Sequence, residues 1–173
     1  GSDKNVFDRS IYEENISMLK NVLNAIRELN SLPKFILSSG CLIYDKQTSP
    51  DLIPEIAIWD LPEIDSTKKP YRASKADQEK ILSRESNLDY IIARPTQFTG
   101  SGKIPGVIEW YIATEILKIK AGEIKSVSVK NKLGEVDILD ARDVAKAFLT
   151  LIAKGAKGEV YHISSGSPTT VEN

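Results

Sequence analysis

The stretch KKPYRASKADQEKIL, residues 68–82, places Tyr71 four positions before Lys75, just after a proline and ahead of helix-forming residues. On a helix that spacing sets both side chains on one face. A phenol with an ordinary pKa of about 10 trades protons poorly near neutrality. A neighbouring ammonium favours the phenolate, lowers that pKa and brings the tyrosine toward general acid/base work. The other reading is a solvated helix face, on which Tyr and Lys lay apolar stems against the surface and keep polar tips in water. Residue types and spacing allow both.

The elements around the pair show alternation. Ile16, Leu19, Leu23 and Ile26 recur every three or four positions, which predicts an amphipathic helix over 11–30 stopped before Pro33. KFILSS (34–39), between Pro33 and Gly40, reads as a short strand buried on both faces. Residues 45–70, rich in Pro, Asp, Ser and Thr, read as a long irregular loop. A helix is expected over 71–86 and a buried strand at LDYIIARP (88–95), closed by Pro95. A second amphipathic helix follows at 107–120, and IKSVSVK (124–130) alternates as a strand does. ARDVAKAFLTLIAK (141–154) is helical, with Val144, Ala145, Phe148 and Ile152 on one face and Gly155 as its stop. EVYHIS (159–164) is the last strand. Buried strands alternating with helices predict an α/β fold, a parallel sheet with helices on its faces.

Composition narrows the function. The chain has 173 residues, 41% hydrophobic and 27% charged, with 23 basic and 24 acidic residues. This near balance, without like-charge blocks, points away from nucleic acid and anionic membranes as partners. Cys41, the one cysteine, forms no internal disulfide, and one histidine, His162, builds no histidine-rich metal site. No apolar run approaches the roughly 18 residues of a membrane span. Gly1-Ser2 reads as an expression scar, 3–173 as a single domain, and the protein as soluble and cytoplasmic.

Taken in order, strand-SSG, a long loop, a Pro-Tyr-x-x-Ser-Lys helix, strand-ARP, a DARDVA helix and GEVYHISSG resemble the extended short-chain dehydrogenase/reductase family. Within it, ARPTQFTGSGKIPG and KGAKGEVYHISSG are most similar to the GDP-mannose 4,6-dehydratases and the GDP-4-keto-6-deoxymannose reductases. The resemblance implies a Rossmann-like domain that binds NAD or NADP, with NADP slightly favoured, and acts by hydride transfer at C4 of a nucleotide-linked sugar. It makes Tyr71 the acid/base and assigns Lys75 to the Tyr71 pKa and the nicotinamide ribose. Thr96 falls at the nicotinamide end, Gln97 at the nucleotide sugar, and Lys103 toward the diphosphate. It also implies a homodimer through helices 11–30 and 71–86.

Three departures accompany the resemblance. The family's catalytic Ser/Thr lies four positions before its strand-end tyrosine; counting back from Tyr44 gives Gly40, and Ser39 supplies the nearest hydroxyl. Val136 stands where a phosphate-binding arginine is expected, so Asp137, Asp140 and Asp143 read as structural. The glycine-rich dinucleotide turn is absent, which reads as a domain fragment incomplete at its N-terminal half, with KFILSS an unpaired sheet edge. The alternative to an enzyme is a binding or scaffold protein that keeps the fold without the chemistry. His162 reads as a hydrogen-bonded structural residue, Cys41 as a small buried one, and Trp59 and Trp110 as packing residues.

Overall fold

The computed structural model describes residues 10–44, 55, 63–102, 108–128 and 134–170. Lys103, Trp59 and most of the 45–70 loop lie outside them. Helix α1 (Ser10–Arg27) leads to strand β1 (Lys34–Ser38), a 3-10 turn (Cys41–Ile43) and helix α2 (Pro70–Leu82). Strands β2 (Asp89–Pro95) and β3 (Gln97–Thr99) precede helix α3 (Ile108–Lys120). Then come β4 (Glu135–Val136), β5 (Ile138–Asp140), α4 (Ala141–Lys154), β6 (Val160–Ile163) and β7 (Thr169–Thr170).

The sheet runs β1-β2-β6, all parallel, with Ser38 opposite Ala93 and Pro95 opposite Ile163. Strand β2 is central and buried from Tyr90 to Pro95. Its alternating residues feed two cores. Tyr90 and Ile92 join Leu19, Leu23 and Ile26 of α1 and Leu82 of α2 on one face. Ala93 meets Val144 of α4 and Ile163 on the other. Ile91 and Ile92 are almost wholly buried, each contributing about 1.5–3 kcal/mol of apolar transfer. Helices thus cover both faces, as the sequence predicts.

Several expectations need correction. Strand β1 is not buried on both faces. Only its Leu37 is buried, Phe35 and Ile36 are half-buried, and among the described residues no strand pairs with its outer side. Residues 124–128 form no strand; Tyr111 of α3 donates to the Ser128 carbonyl, and alternation without a paired neighbour makes no ladder. On α4 the packed face is Val144, Ala147, Phe148 and Leu151, while Ile152 is exposed. Gly155 stops this helix without a left-handed turn, at φ −67°. Its role is space: an added Cβ would sit 2.4 Å from Ile91 Cδ1 and 2.7 Å from the Leu151 carbonyl oxygen. Trp110 is exposed rather than packed.

Candidate active site

Because β1, β2 and β6 are parallel, their C-terminal ends share one edge, the place where open α/β sheets bind ligands. Ser39 and Gly40 leave β1 there, and Thr96 leaves β2. Helix α2 brings Tyr71 and Lys75 to the same edge. It starts at Pro70, whose fixed φ suits the first helical position and whose missing N–H costs nothing there. Lys75 Nζ donates to the Ser38 carbonyl at 2.9 Å, which ties the helix to the end of β1. The first turn is also tied to α1: Asn15 Nδ2 donates to Ser74 Oγ at 2.9 Å, and Ser74 Oγ donates to the Tyr71 carbonyl at 2.8 Å.

Electrostatics at the pair run opposite to the expectation. The Lys75 ammonium lies 5.8 Å from the centroid of the Tyr71 ring, over its face. Burial pushes the Tyr71 phenol above its ordinary pKa. Burial also pulls Lys75 down, with Glu79 acting in the other direction. Held by a carbonyl and a ring face, the ammonium does not outweigh the phenolate's loss of water.

Ser39 is 6% exposed, and its Oγ is buried without a hydrogen-bond partner. Its N–H donates to the Ala93 carbonyl at 2.8 Å. Beside it, the extended backbone of Gly40 leaves room, since an added Cβ would find its nearest neighbour, the Pro95 carbonyl oxygen, 3.8 Å away. Thr96 shares its hydroxyl hydrogen between the Ile163 carbonyl at 3.2 Å and Asp137 at 3.3 Å. Gln97 is exposed and donates to Glu109 of α3 at 2.7 Å. Tyr71, Lys75 and the end of β1 therefore come together, Thr96 stands one strand over, and Gln97 is engaged with α3.

Beneath this edge lies a buried network not foreseen from the sequence. Arg94 is 0% exposed and grips Glu79 of α2 through Nε at 3.0 Å and Nη2 at 2.6 Å. Its Nη1 donates to the Tyr44 hydroxyl, which lies 2.6 Å from His162 Nε2. Burial opposes the charge of Arg94, but Glu79 and Tyr44 more than offset it and hold the guanidinium above its ordinary pKa. Cys41 Sγ donates to the Arg94 carbonyl at 3.1 Å, and burial pushes this thiol up to about 11, so it stays protonated. The signal was an arginine inside the apolar run LDYIIARP, because a charge in a buried strand requires a partner.

The three aspartates are occupied by protein groups. Asp137 accepts from the Ser165 and Gly166 amides, both at 2.9 Å. Burial works against its charge, but these amides outweigh it and hold the carboxyl below its ordinary value. Asp140 caps α4 through the Arg142 amide at 2.8 Å, and Asp143 pairs with Lys146.

Residues 2–164 match the family described as NAD dependent epimerase/dehydratase. The chain belongs to this family. It is 27% identical over 157 residues to a GDP-6-deoxy-D-mannose reductase of Pseudomonas aeruginosa, a match covering 84% of the chain and 50% of that protein. The structure of RMD from the same organism, complexed with NADPH, superposes with a TM-score of 0.77 at 25% identity, over 91% of this chain and 52% of that one. A dTDP-glucose 4,6-dehydratase from Bacillus anthracis, in complex with NAD, gives a TM-score of 0.72 at 22% identity, covering 92% and 49%, and shares the fold. This epimerase/dehydratase-family chain spans about half the length of the relatives it matches.

Proposed function

We propose that the full-length protein is a nicotinamide-dependent enzyme acting on a nucleotide-linked sugar, as a reductase, dehydratase or epimerase, with its acid/base chemistry on this chain. The observation that carries the reading is Tyr71 and Lys75 held at the carboxyl edge of a parallel sheet, with Lys75 bonded to the end of β1, in a chain of this family. The residues fit the nicotinamide-ribose end of such a cofactor. Ser39 offers a buried, unsatisfied hydroxyl, Gly40 leaves the backbone open, and Lys75 is the cation between them and Tyr71.

When bound, a nicotinamide supplies or accepts a hydride at the sugar carbon C4. In the reductive direction Tyr71 gives its phenolic proton to the oxygen that takes the carbonyl electron pair; in the oxidative direction it takes the proton back. A phenol raised by burial is a good proton holder and a poor base. Oxidation at neutral pH therefore requires the ammonium of Lys75 to act on the phenolate more strongly than it does here. Lys75 also binds the ribose hydroxyls, Ser39 Oγ donates to the reacting oxygen, and Thr96 lines the nicotinamide end. Gln97 and Lys103 serve the nucleotide sugar. NADP is favoured over NAD through the likeness to the NADPH-bound relative. A homodimer through α1 and α2 is supported by Met18 and Val22, which α1 leaves 56% and 40% exposed one turn apart.

The test is conversion of GDP- and dTDP-linked sugars by the full-length protein with NADPH or NADH, followed by product analysis. Turnover with either cofactor supports the reading. Tight cofactor binding without any turnover favours the second reading, a binding or scaffold protein, which Gly40 in the place of a hydroxyl residue supports.

A further inference from the structure

We propose that Ser74 is a positioning residue for Tyr71: bonded to Asn15 of α1, it fixes the first turn of α2, from which Tyr71 reaches the sheet edge. The consequence for turnover rests on the function proposed above; the consequence for the turn does not.

The start of α2 needs an outside hold. Lys69 stands at its N-cap and makes no side-chain capping hydrogen bond, and Pro70 at the first helical position has no N–H to give. A helix end without a side-chain cap is the part that frays first. Tyr71 lies in that turn, which is closed by the Ala73 amide bonding the Lys69 carbonyl at 3.0 Å.

Ser74 is 0% exposed, so its hydroxyl must find its partners inside the protein. A carbonyl only accepts, so the one hydroxyl hydrogen goes to the Tyr71 carbonyl at 2.8 Å, and a lone pair accepts from Asn15 Nδ2 at 2.9 Å. The hydroxyl thus joins the Tyr71 backbone to α1. Two more bonds cross the same seam: Gln78 Nε2 donates to the Asn15 carbonyl at 2.7 Å, and the Tyr12 hydroxyl donates to Asp77 at 2.8 Å. Both engage α2 beyond Ser74, whereas Ser74 reaches back to the residue that carries the chemistry. Lys75 Nζ, bonded to the Ser38 carbonyl, ties the next position of the helix to β1. Tyr71 is therefore set between two anchors, one on α1 and one on β1. Fully buried, Ser74 touches no substrate and acts through the Tyr71 backbone.

The test is amide hydrogen exchange of the full-length protein, corrected for intrinsic rates, in wild type, Asn15→Ala, Ser74→Ala and the double variant. Alanine is smaller than either residue and a strong helix former, so both helices persist. The Asn15 backbone carbonyl that Gln78 bonds also survives in Asn15→Ala. Exchange at Ala73 and Lys75 should quicken roughly two- to tenfold in Asn15→Ala, the weight of one hydrogen bond, and at least as much in Ser74→Ala. The Leu82 end of α2 and strand β2 should keep their protection. The double variant should match Ser74→Ala, because both changes break one chain of bonds. Unchanged exchange in the first turn overturns the proposal. So does a loss shared equally by α2 and β2, which marks general destabilisation, and so do additive losses in the double variant. In an active enzyme the same variants should lower kcat more than they raise KM, and should leave the residual rate of Tyr71→Phe unchanged. An equal fall in the Tyr71→Phe background overturns the assignment to Tyr71. A wild type without turnover refutes the catalytic reading alone, since the exchange result stands by itself.

Discussion

Replacing Glu79 by leucine tests the packing logic under the site. Glu79 and Arg94 are both 0% exposed and joined by two hydrogen bonds, at 3.0 and 2.6 Å. Removing the carboxylate takes two charge-assisted hydrogen bonds from a fully buried guanidinium. The expected cost is about 3–5 kcal/mol, far above the value of about 0–1 kcal/mol typical of exposed pairs. In Glu79→Leu/Arg94→Met both members of this ion pair are replaced, and most of that loss should return, because a buried pair can be exchanged for apolar residues at little net cost. The assay is urea unfolding of the full-length protein, read as the midpoint shift multiplied by the slope. A single variant costing less than about 1 kcal/mol, or a double variant as unstable as the single, refutes the reasoning.

Gly155→Ala should cost about 1–3 kcal/mol in thermal unfolding, because its Cβ would fall 2.7 Å from the Leu151 carbonyl and 2.4 Å from Ile91 Cδ1. Gly40→Ser should change stability by less than about 0.5 kcal/mol, since its backbone is extended and its nearest neighbour is 3.8 Å away. In an active enzyme the same variant should raise kcat by about tenfold or more through the added donor. Met18→Lys with Val22→Lys should convert a dimer to monomer in sedimentation, leaving the fold intact by circular dichroism.

The α/β alternation was legible because KFILSS, LDYIIARP and EVYHIS are apolar runs too short for helices, set between helical periods. Helix α4 begins and ends where its pattern does, and Asp140 supplies the cap. The β3–β5 and β4–β7 ladders were not legible, being two or three residues long and dependent on distant partners. Residues 124–128 show the converse, a strand-like alternation that pairs with no strand among the described residues. At the site, the i, i+4 spacing put Tyr71 and Lys75 on one face, but the net electrostatics depend on the Ser38 carbonyl and on burial, which no local pattern encodes. The network around Arg94 was equally out of reach, since its partners Glu79 and Tyr44, and His162 beside Tyr44, converge from three separate segments.

The most direct test of the central claim is single-turnover reduction of a 4-keto nucleotide sugar by the full-length protein, with NADPH absorbance recorded for wild type and Tyr71→Phe. The account predicts that nucleotide binding survives in the variant while hydride transfer slows by about a hundredfold or more, the range of one general acid/base. Equal rates in the two proteins would contradict it and take the proton chemistry away from Tyr71.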